Sequence, residues 1–512
     1  MQAHSFLVDN KDNNQVIEII ESLYPVKKIA GKSINLTYYD TFDLSLQKKG
    51  LFFCKTGTNY TLQAINVENN TQPITFNSSK QLKFWQDLPT SDLKNKFKNI
   101  LGIRALIAFA SLKNDQQPCN IVDSEEKIIA RMSLESFSLD NSDVFLGKIL
   151  KLKAIKGYNK HYNKLLDLLA IQNQMQPLEQ EDFMQLIIDG GGVIPMKYTA
   201  KPINIDEAQM PASDAVKKLF FSLLAIIKIN EDGVIKDIDT EFLHDFRVAI
   251  RRTRSILNLL KVIFNESAVL PYKLKFASLA ESTNKLRDYD VYLLNKDSYL
   301  QMLPSHLHKG LNQFFINIKK RKKYEHRKLV QRLNSSSYHE FINSWKDFLE
   351  NSNDIFDSTN SAIPVVDLAR KHIYNKSKKI LKKGTKINRE SPDSSLHDLR
   401  LDCKKLRYLV EFFSELFPKK DITILVNQLK KLQDCLGEFN DYSIQQIHLE
   451  DYLLTINASA SNSIELAATI GALISASYQE KQKRRNAFFR IFKTFASEKN
   501  INLYFMLFSM VS

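Results

Sequence analysis

The sequence predicts an α+β N-terminal domain dominated by antiparallel sheet, followed by an all-α C-terminal domain. Up to about residue 155, short apolar runs alternate with Asn, Gly, Asp and Ser, a pattern that is typical of strands and turns. After Pro211 the apolar residues recur with the 3.6-residue period of helices, and glycine becomes rare. Within this second half one charged phrase occurs twice at a fixed distance, which indicates an internal duplication.

The N-terminal elements follow from these short runs. Strands are predicted, in chain order, at residues 34–39, 50–56, 60–67, 101–112, 126–134 and 144–154. Helices are predicted at residues 12–23 and 158–171, the second from the spacing of Tyr162, Leu165 and Leu169. We expect the first domain to occupy residues 1–189.

A linker separates the two predicted domains. Three consecutive glycines at 190–192, and prolines at 195, 202 and 211, carry turn and extended signals without periodicity, so residues 190–212 are predicted as linker. The second domain is then expected at residues 213–510. Its predicted helices are residues 213–230, 239–264, 270–295, 305–333, 337–351, 363–383, 395–416, 421–455 and 463–496.

The duplicated phrase fixes the offset of the repeat. The first copy is LHDFR at residues 243–247, and the second is LHDLR at residues 396–400, 153 residues later. The offset holds without a gap for LRDY at residues 286–289 and FNDY at residues 439–442. An ungapped match over two separated segments indicates a duplicated unit.

Each copy of the phrase opens a predicted amphipathic helix with a cationic stripe beside its apolar face. The stripes hold His244, Arg247, Arg251 and Arg254 in the first copy and His397, Arg400, Lys404 and Arg407 in the second, with Arg252 and Lys405 completing two basic pairs. A cation on every turn gives about one positive charge per 5.4 Å, which suits an extended chain of phosphates. One such stripe is also typical of a solvated helix face. Because the cations persist in both copies while apolar identities drift, we expect an anionic partner.

The charge of the chain is concentrated on the repeated half. Of the net charge of +15, residues 1–200 contribute 23 Lys and Arg against 21 Asp and Glu, and residues 201–512 contribute 49 against 36. The hydrophobic content of 44% and the charged content of 25% are ordinary for a soluble globular protein. The uneven charge therefore favours a phosphate-rich polyanion as the partner of the second half.

Cysteines and termini give no sign of secretion or of a metal site. Cys54, Cys119, Cys403 and Cys435 lack metal-ligand spacing, and a chain of this size needs no disulfide framework. The N-terminus lacks a cationic segment followed by an apolar core, and the apolar stretch at 464–477 is short and interrupted by Glu465. We expect a cytoplasmic protein without membrane contact, with its association with polyphosphate granules and its oligomeric state left open.

The helical half resembles the CHAD family, named for a conserved histidine α-helical domain. Four motifs stand in the family's order: LHDFR with three further arginines, LRDYDV at 286–291, LHDLR with KKLRY at 396–408, and LQDCLGEFND at 432–441. The resemblance covers residues 212–508. It implies two pseudo-symmetric helical bundles whose basic residues converge on a groove that binds inorganic polyphosphate.

Carried onto this sequence, the resemblance implies a groove formed by the basic residues of both stripes. Further helices would supply Lys320, Arg321, Arg327, Lys328, Arg370, Lys376 and Lys379. His244 and His397 are expected to act as conditional cations or hydrogen-bond donors to phosphate. A His-Asp pair also occurs in metal phosphohydrolases, but the further ligands of that chemistry are not found, so no metal, cofactor or catalytic residue is predicted.

The N-terminal half resembles the CYTH, or triphosphate tunnel, family through YYDTFDL at residues 38–44, Leu46 and Gly50. Family members carry E-x-E-x-K, L-R-x-R and a late strand with paired glutamates. Here the first motif's positions hold Met1, Ala3 and Ser5, and no register of residues 52–56 supplies two arginines. The late strand falls near residues 149–152, without glutamate. Since this chemistry needs carboxylates to hold metal ions, we expect a degenerate tunnel or barrel that is not an enzyme.

Two other functions stay open from the sequence. A metal-dependent triphosphatase or polyphosphatase in the N-terminal domain would release phosphate from tripolyphosphate. Nonspecific nucleic-acid binding would use the same basic helices, although few aromatic residues interleave the stripes to stack on bases. Other phosphate-rich polyanions also fit the charge.

Overall fold

The structure, a computed structural model, describes residues 3–9, 13–64, 73–140, 144–172, 175–178, 198–351, 354–457, 459 and 462–509. The chain divides into two compact units, Met1–Thr199 and Ala200–Ser512. Part of the predicted linker, residues 190–197, lies outside the described residues. The exact domain limits stay a prediction.

The first unit is built on one antiparallel sheet. Its strands are β1 (Ala3–Val8), β2 (Val26–Lys28), β3 (Lys32–Asp40), β4 (Leu51–Thr56), β5 (Asn59–Ala64), β6 (Ile74–Asn77), β7 (Ile107–Val122), β8 (Ile128–Leu139), β9 (Phe145–Ala154) and β10 (Met175–Pro177). They pair in the order β10-β1-β9-β8-β7-β3-β4-β5-β6, and β2 pairs with β7. The helices are α1 (Asn13–Glu21), α2 (Ser91–Leu101) and α3 (Asn159–Ala170). The predicted α+β class is confirmed, whereas the tunnel stays a prediction.

The two faces of this sheet carry different cores. Phe6 and Val8 of β1 pack in a cluster that includes residues of helices α1 and α3. Because side chains alternate along a strand, Ala3 and Ser5 lie on the opposite face. That face carries a second apolar cluster, which includes Tyr38 of β3 and Phe52 of β4. Ala3 and Ser5 therefore lie on the face of the sheet that carries this apolar cluster.

The prediction of a strand at residues 101–112 is partly wrong. Helix α2 comes first, and the strand begins only at Ile107. The hydroxyl of Thr90 accepts the N–H of Leu93 and caps the helix, while Gly102 ends it with a φ of +57°, which favours glycine. The four-residue spacing of the buried Leu93, Phe97 and Leu101 is the helical signal, which the apolar run after residue 102 obscures.

The second unit is all-helical, as predicted. Its helices are α4 (Ala212–Ile235), α5 (Thr240–Leu259), α6 (Glu266–Ser282), α7 (Asn284–Leu294), α8 (Lys296–Met302), α9 (His308–Leu333), α10 (Ser336–Asn351), α11 (Ser358–Ser361), α12 (Val365–Gly384), α13 (Asp393–Phe412), α14 (Lys419–Leu454), α15 (Ser463–Phe495) and α16 (Glu498–Phe508). Most ends lie within a few residues of the predicted ones.

The internal duplication is visible in the helix limits. Helices α4 and α12 begin 153 residues apart, helices α6 and α14 begin 153 residues apart, and α5 and α13 both begin and end 153 residues apart. The offset read from two short charged phrases therefore extends over three helices of each copy.

One predicted helix is broken. Residues 270–295 were expected to be continuous, but α6 ends at Ser282 and α7 begins at Asn284. The fully buried Thr283 lies at the break, and its hydroxyl donates to the carbonyl of Ala280 at 2.6 Å. In the second copy Leu436 occupies the equivalent position, and α14 runs through it unbroken. A hydroxyl that bonds to the backbone competes with the helix, whereas leucine favours it.

Candidate anion-binding site

Helix α5 holds its cationic stripe in place through its cap and its apolar face. The carboxylate of Asp239 accepts the N–H groups of Glu241 and Phe242, which fixes the first turn. The predicted apolar face is buried, and Phe246 and Ile250 are fully so. In helix α13, Leu399 and Cys403 take the equivalent places and are also fully buried. The buried apolar faces therefore fix the position of both cationic stripes relative to the core.

The two stripes meet. Arg251 of α5 donates from Nε to the hydroxyl of Tyr408 on α13 at 2.5 Å, and its guanidinium lies 6.0 Å from the centre of that ring. The next residue of α5, Arg252, donates from Nη2 to Glu411, which lies about one turn after Tyr408 on α13, at 3.3 Å. Equivalent helices of the two copies are thus joined side by side along their cationic faces.

Arg247 docks against the break between α6 and α7. Its guanidinium donates to the carbonyl of Ala280 at 3.3 Å, to the hydroxyl of Thr283, and to Asn284 Oδ1 at 3.0 Å. Burial, followed by repulsion from Arg251, lowers the pKa of Arg247 to about 10. Arg247 is therefore still charged at neutral pH and is held in place by three protein acceptors.

Arg400 and Lys404 of α13 lie beside Arg251. Burial, then the positive charges of Arg400 and Arg251, lowers the pKa of Lys404 to about 8. The ammonium of Lys404 makes no hydrogen bond or ion pair with the described residues. The Nε of Arg400 is buried without a hydrogen-bond partner among those residues, and its pKa is lowered chiefly by burial.

We call Arg247, Arg251, Arg400 and Lys404 the central cluster. Asp441 pairs with Arg400, but its Oδ1 lies 3.5 Å from that guanidinium and the side chain is 73% exposed. Asp288 also acts on Arg247. Repulsion among the four cations costs free energy, and a bound anion relieves it. The arrangement is therefore suited to hold a multivalent anion.

A second group of cations surrounds Asp402, which lies on another side of α13. Lys376 and Lys383 of α12 reach its carboxylate at 3.3 Å and 2.6 Å. Burial lowers the pKa of Lys376, and the charges of Lys379 and Lys405 add to that effect. We call Lys376, Lys379, Lys383 and Lys405 the Asp402 cluster. Three of its lysines were predicted; Lys383 was missed, although Lys376, Lys379 and Lys383 follow the 3, 4 spacing of one helix face.

Arg252 and Arg407 are held by protein groups. Glu411 accepts from Arg407 Nε at 2.5 Å as well as from Arg252, which also donates to the carbonyl of Ala200 at 2.8 Å. Arg407 further donates to Gln433 Oε1 at 3.2 Å. These two arginines brace the junction between α5 and α13, while Arg254 is half-buried further along α5.

The predicted residues of helix α9 contact groups other than those of the central cluster in the described part of the chain. Arg321 lies over the ring of Tyr452 at 4.7 Å and donates to Thr455 Oγ1 at 3.0 Å. Lys320 lines a cavity of about 300 Å³ beside it. The exposed Arg327 donates to the carbonyl of Lys323 at 3.3 Å, and Lys328 lies 4.5 Å from the ring of Tyr324.

The histidines of the repeat and Arg370 take separate places. His397 is exposed, and its Nδ1 lies 2.7 Å from Asn440 Oδ1. His244 is half-buried one turn before Arg247. Arg370 of α12 pairs with Asp367 on its own helix at 3.7 Å. The role of the histidines toward phosphate stays a prediction.

Sequence reasoning missed the neutral partners of the arginines. Tyr408 and Thr283 hold Arg251 and Arg247, and neither has a charge that would mark it. Tyr408 does follow Arg407 directly in the repeated motif, which was the available signal. Thr283 had none, because its effect depends on a helix break that periodicity does not show.

In the N-terminal unit, the apolar face of the sheet contains a pair of opposite charges. Glu135 of β8 accepts from Lys151 Nζ at 2.9 Å and from Asn114 Nδ2 at 3.0 Å. Asp40, in the phrase that resembles the CYTH family, accepts the N–H groups of Leu46 at 2.8 Å and Gln47 at 2.9 Å. Its carboxylate therefore organises a turn, and burial raises its pKa to about 6.

Neither a metal-binding group nor a membrane span is found in the part of the chain that the structure describes. No three His, Cys, Asp or Glu side chains there come together in a way that could hold a metal ion. Among the same residues, every helix is too short or too polar to cross a bilayer.

The duplicated all-helical unit, with its cationic helices joined at the repeat junction, places this half of the chain in a class of helical domains with a basic centre. Residues 219–450 match the model of the CHAD domain. This match lies within the second unit.

Solved structures were compared as well. The crystal structure of the CHAD domain from the plant Ricinus communis is 21% identical, with a TM-score of 0.49, covering 57% of this chain and 95% of that one. PptA from Streptomyces chartreusis is 14% identical, with a TM-score of 0.45, and the match covers 56% of this chain and 100% of that one. No curated protein matches.

Proposed function

We propose that the CHAD domain of this protein binds inorganic polyphosphate at the central cluster. The observation that carries the proposal is Lys404, whose ammonium has no partner among the described residues and lies within the field of Arg251 and Arg400. A phosphate placed here meets charges from both copies of the repeat. The CHAD family is linked to polyphosphate binding, which agrees with this chemistry.

An extended anion fits better than a compact one. Lys404 belongs to the central cluster and Lys405 to the Asp402 cluster, and adjacent residues of a helix lie about 100° apart. A chain of phosphates can follow α13 from one cluster to the other, whereas a single phosphate occupies one of them. Nucleic acid is the weaker alternative, because the aromatic ring at the central cluster, Tyr408, is 8% exposed and offers no platform for bases.

We also propose that the chain does not hydrolyse polyphosphate. Ala3 stands where the CYTH family carries a metal-binding glutamate and Ser5 where it carries a phosphate-binding lysine, and Phe52 and Tyr38 fill the same face of the sheet. Glu135 on this face is paired with Lys151. Phosphoryl transfer needs groups that neutralise the charge on the transferred phosphate, and this face lacks paired carboxylates in the described residues.

Binding should be strongly salt-dependent and should leave the ligand intact. With about four cations contacting phosphates, log K is expected to fall with log salt at a slope of about −3, because counterions are released. Fluorescence anisotropy of labelled long-chain polyphosphate at several salt concentrations measures this slope. RNA of equal charge should displace the ligand poorly.

The same samples test the absence of hydrolysis. After incubation with Mg²⁺ or Mn²⁺, the chain length of polyphosphate on a gel should be unchanged, and tripolyphosphate should release phosphate only at background rate. Metal-dependent turnover that disappears when residues 1–199 are deleted would contradict the non-enzymatic proposal. A salt-independent affinity would contradict the ionic site.

The affinity should fall as pH rises from about 8 to 9. The pKa of Lys404 is about 8 in the free protein, and a bound anion raises it by favouring the charged form. Above pH 8 binding must take up a proton, so the affinity decreases by up to about tenfold per pH unit until the bound-state pKa is reached. Titrations at fixed ionic strength measure the effect.

The variant Lys404→Arg tests whether Lys404 is the group that causes the pH dependence of binding. Arginine stays charged through this range, so the pH dependence should disappear while binding is retained. Lys376→Arg, in the Asp402 cluster, is the matched control and should keep the wild-type pH profile. The reverse pattern would place the ligand at the Asp402 cluster.

A further inference from the structure

A cavity of about 350 Å³ lies between α7, α8 and α14, beside the central cluster. Its lining includes three tyrosines, Tyr292, Tyr299 and Tyr442, and three carboxylates, Asp288, Glu438 and Asp441. No lysine or arginine lines it among the described residues, although this half of the chain has a large excess of both. The volume is in the range of small-molecule sites.

Tyr292 is the group that points to a ligand. It is 7% exposed, it borders this cavity and the adjoining one of about 240 Å³, and its hydroxyl has no hydrogen-bond partner in the described residues. Buried hydroxyls are normally satisfied, because leaving one unpaired forfeits its hydration. Tyr299 shows the contrast, since its hydroxyl accepts from Gln445 Nε2 at 2.6 Å.

Asp288 is the second unsatisfied group on the same wall. The half-buried carboxyl makes no hydrogen bond or ion pair with the described residues. The charges that act on it are His448, Arg247 and Arg287, which attract it, and Asp441, which repels it, while burial raises its pKa. The cavity thus offers a carboxylate that no cation of the described residues contacts.

The other two carboxylates are partly engaged outside the cavity. Glu438 pairs with Arg484 at 2.9 Å, and Asp441 lies 3.5 Å from Arg400. Both side chains are at least half exposed and can accept a further donor. The mouth also has apolar edges, because Val291 is 40% exposed and Ile444 is 41% exposed.

We propose that this cavity binds a small organic ammonium cation through Asp288 and the hydroxyl of Tyr292. The ammonium donates to the carboxylate and to the phenol oxygen, and tyrosine rings stabilise a cation that approaches their faces. Val291 and Ile444 cover the methylene part of such a ligand. A hydrated metal ion would gain nothing from aromatic walls and an apolar mouth, so an alkyl amine suits the site better. This site is separate from the proposed polyphosphate function and does not depend on it.

The test is calorimetric titration of the full chain with 1,5-diaminopentane, without polyphosphate. The neutral analogue 1,5-pentanediol, which has the same length, and Mg²⁺ serve as comparison ligands. We expect saturable binding of the diamine, and at least about tenfold weaker binding of both comparison ligands, because they lack either the charge or the alkyl body.

Two variants locate the site, and a third is the control. Asp288→Asn should weaken diamine binding at least about tenfold, and Tyr292→Phe should weaken it severalfold while keeping or raising the Tm, since an unpaired hydroxyl is removed. Asp434→Asn changes an exposed carboxylate of α14 that does not line the cavity, and it should bind as the wild type does. Equal losses in Asp288→Asn and Asp434→Asn, equal binding of diol and diamine, or wild-type binding by Tyr292→Phe would each overturn the proposal.

Discussion

Replacing Arg251, Arg400 and Lys404 together by Gln is expected to weaken polyphosphate binding by at least about 100-fold. Hydrogen bonds to charged groups contribute about 1.5–3 kcal/mol each, and 1.4 kcal/mol corresponds to a factor of ten in affinity. Glutamine keeps most of the side-chain length and removes the charge. Anisotropy titrations at one salt concentration measure the loss.

The matched control removes three charges from the other cluster. Lys376→Gln, Lys379→Gln and Lys405→Gln, combined, change the net charge by the same amount and should weaken binding less than about fivefold, because Asp402 already pairs with Lys376 and lowers the attraction of this cluster for a phosphate chain. If both triple variants lose affinity equally, net charge rather than the central cluster governs binding, and the site is placed wrongly.

Stability separates a functional effect from misfolding. The pKa of Lys404 is lowered in the folded protein, so its charged form costs free energy at neutral pH that the unfolded chain does not carry. That cost is present in full below the pKa that Lys404 has in the folded protein, and it disappears as the pH rises above the pKa that Lys404 has in the unfolded chain. Lys404→Gln alone should therefore raise the Tm at pH 7 while lowering the affinity. A lower Tm would show that Lys404 has a structural role.

Cutting the helical unit between its repeats should abolish binding. The segments 200–357 and 358–512 would separate Arg251 from Tyr408 and Arg252 from Glu411. They would also divide an apolar cluster in which Phe314 of α9 packs on Tyr452 of α14, with 5.0 Å between the centres of the two rings. Each segment would then expose its half of this core and carry only one cationic helix, so we expect neither to fold or bind alone.

The intact unit is the control for this experiment. Residues 200–512 form a compact unit and keep the contact of Arg252 with the carbonyl of Ala200, so they should fold and bind with nearly full affinity. Circular dichroism and anisotropy on the three purified segments measure both properties. Full affinity in residues 200–357 would show that one stripe suffices and that the junction has no part in binding.

The fold of the helical unit could be predicted because the sequence patterns that indicate it are local and occur twice. The periods of α5 and α13, and the offset of 153 residues, follow from side chains only three or four positions apart. Helix α2 was missed because its three apolar residues precede a stronger strand-like run. The break at Thr283 was missed because a hydroxyl bond to Ala280 leaves no trace in apolar spacing.

From the sequence, the site could be predicted only as a set of basic residues. The sequence identified Arg251, Arg252, Lys404 and Lys405 as equivalent basic residues, whereas in the structure they differ. Glu411 holds Arg252, Tyr408 holds Arg251, and Lys404 has no partner among the described residues. Those differences depend on which helices meet, which is a tertiary property. The aromatic and acidic cavity behind α7 was not visible at all, because its walls come from segments about 140 residues apart.

The contact between Arg251 and Tyr408 joins residues 157 positions apart, and this has a consequence for how the chain reaches its native state. Closing so long a loop is entropically unfavourable, and here the closing step also brings like charges together. Most helices can form before that step, since their contacts are local. Docking of the two copies is therefore expected to be the slow, salt-sensitive stage of folding, and a polyanion present during synthesis would act as its counter-ion.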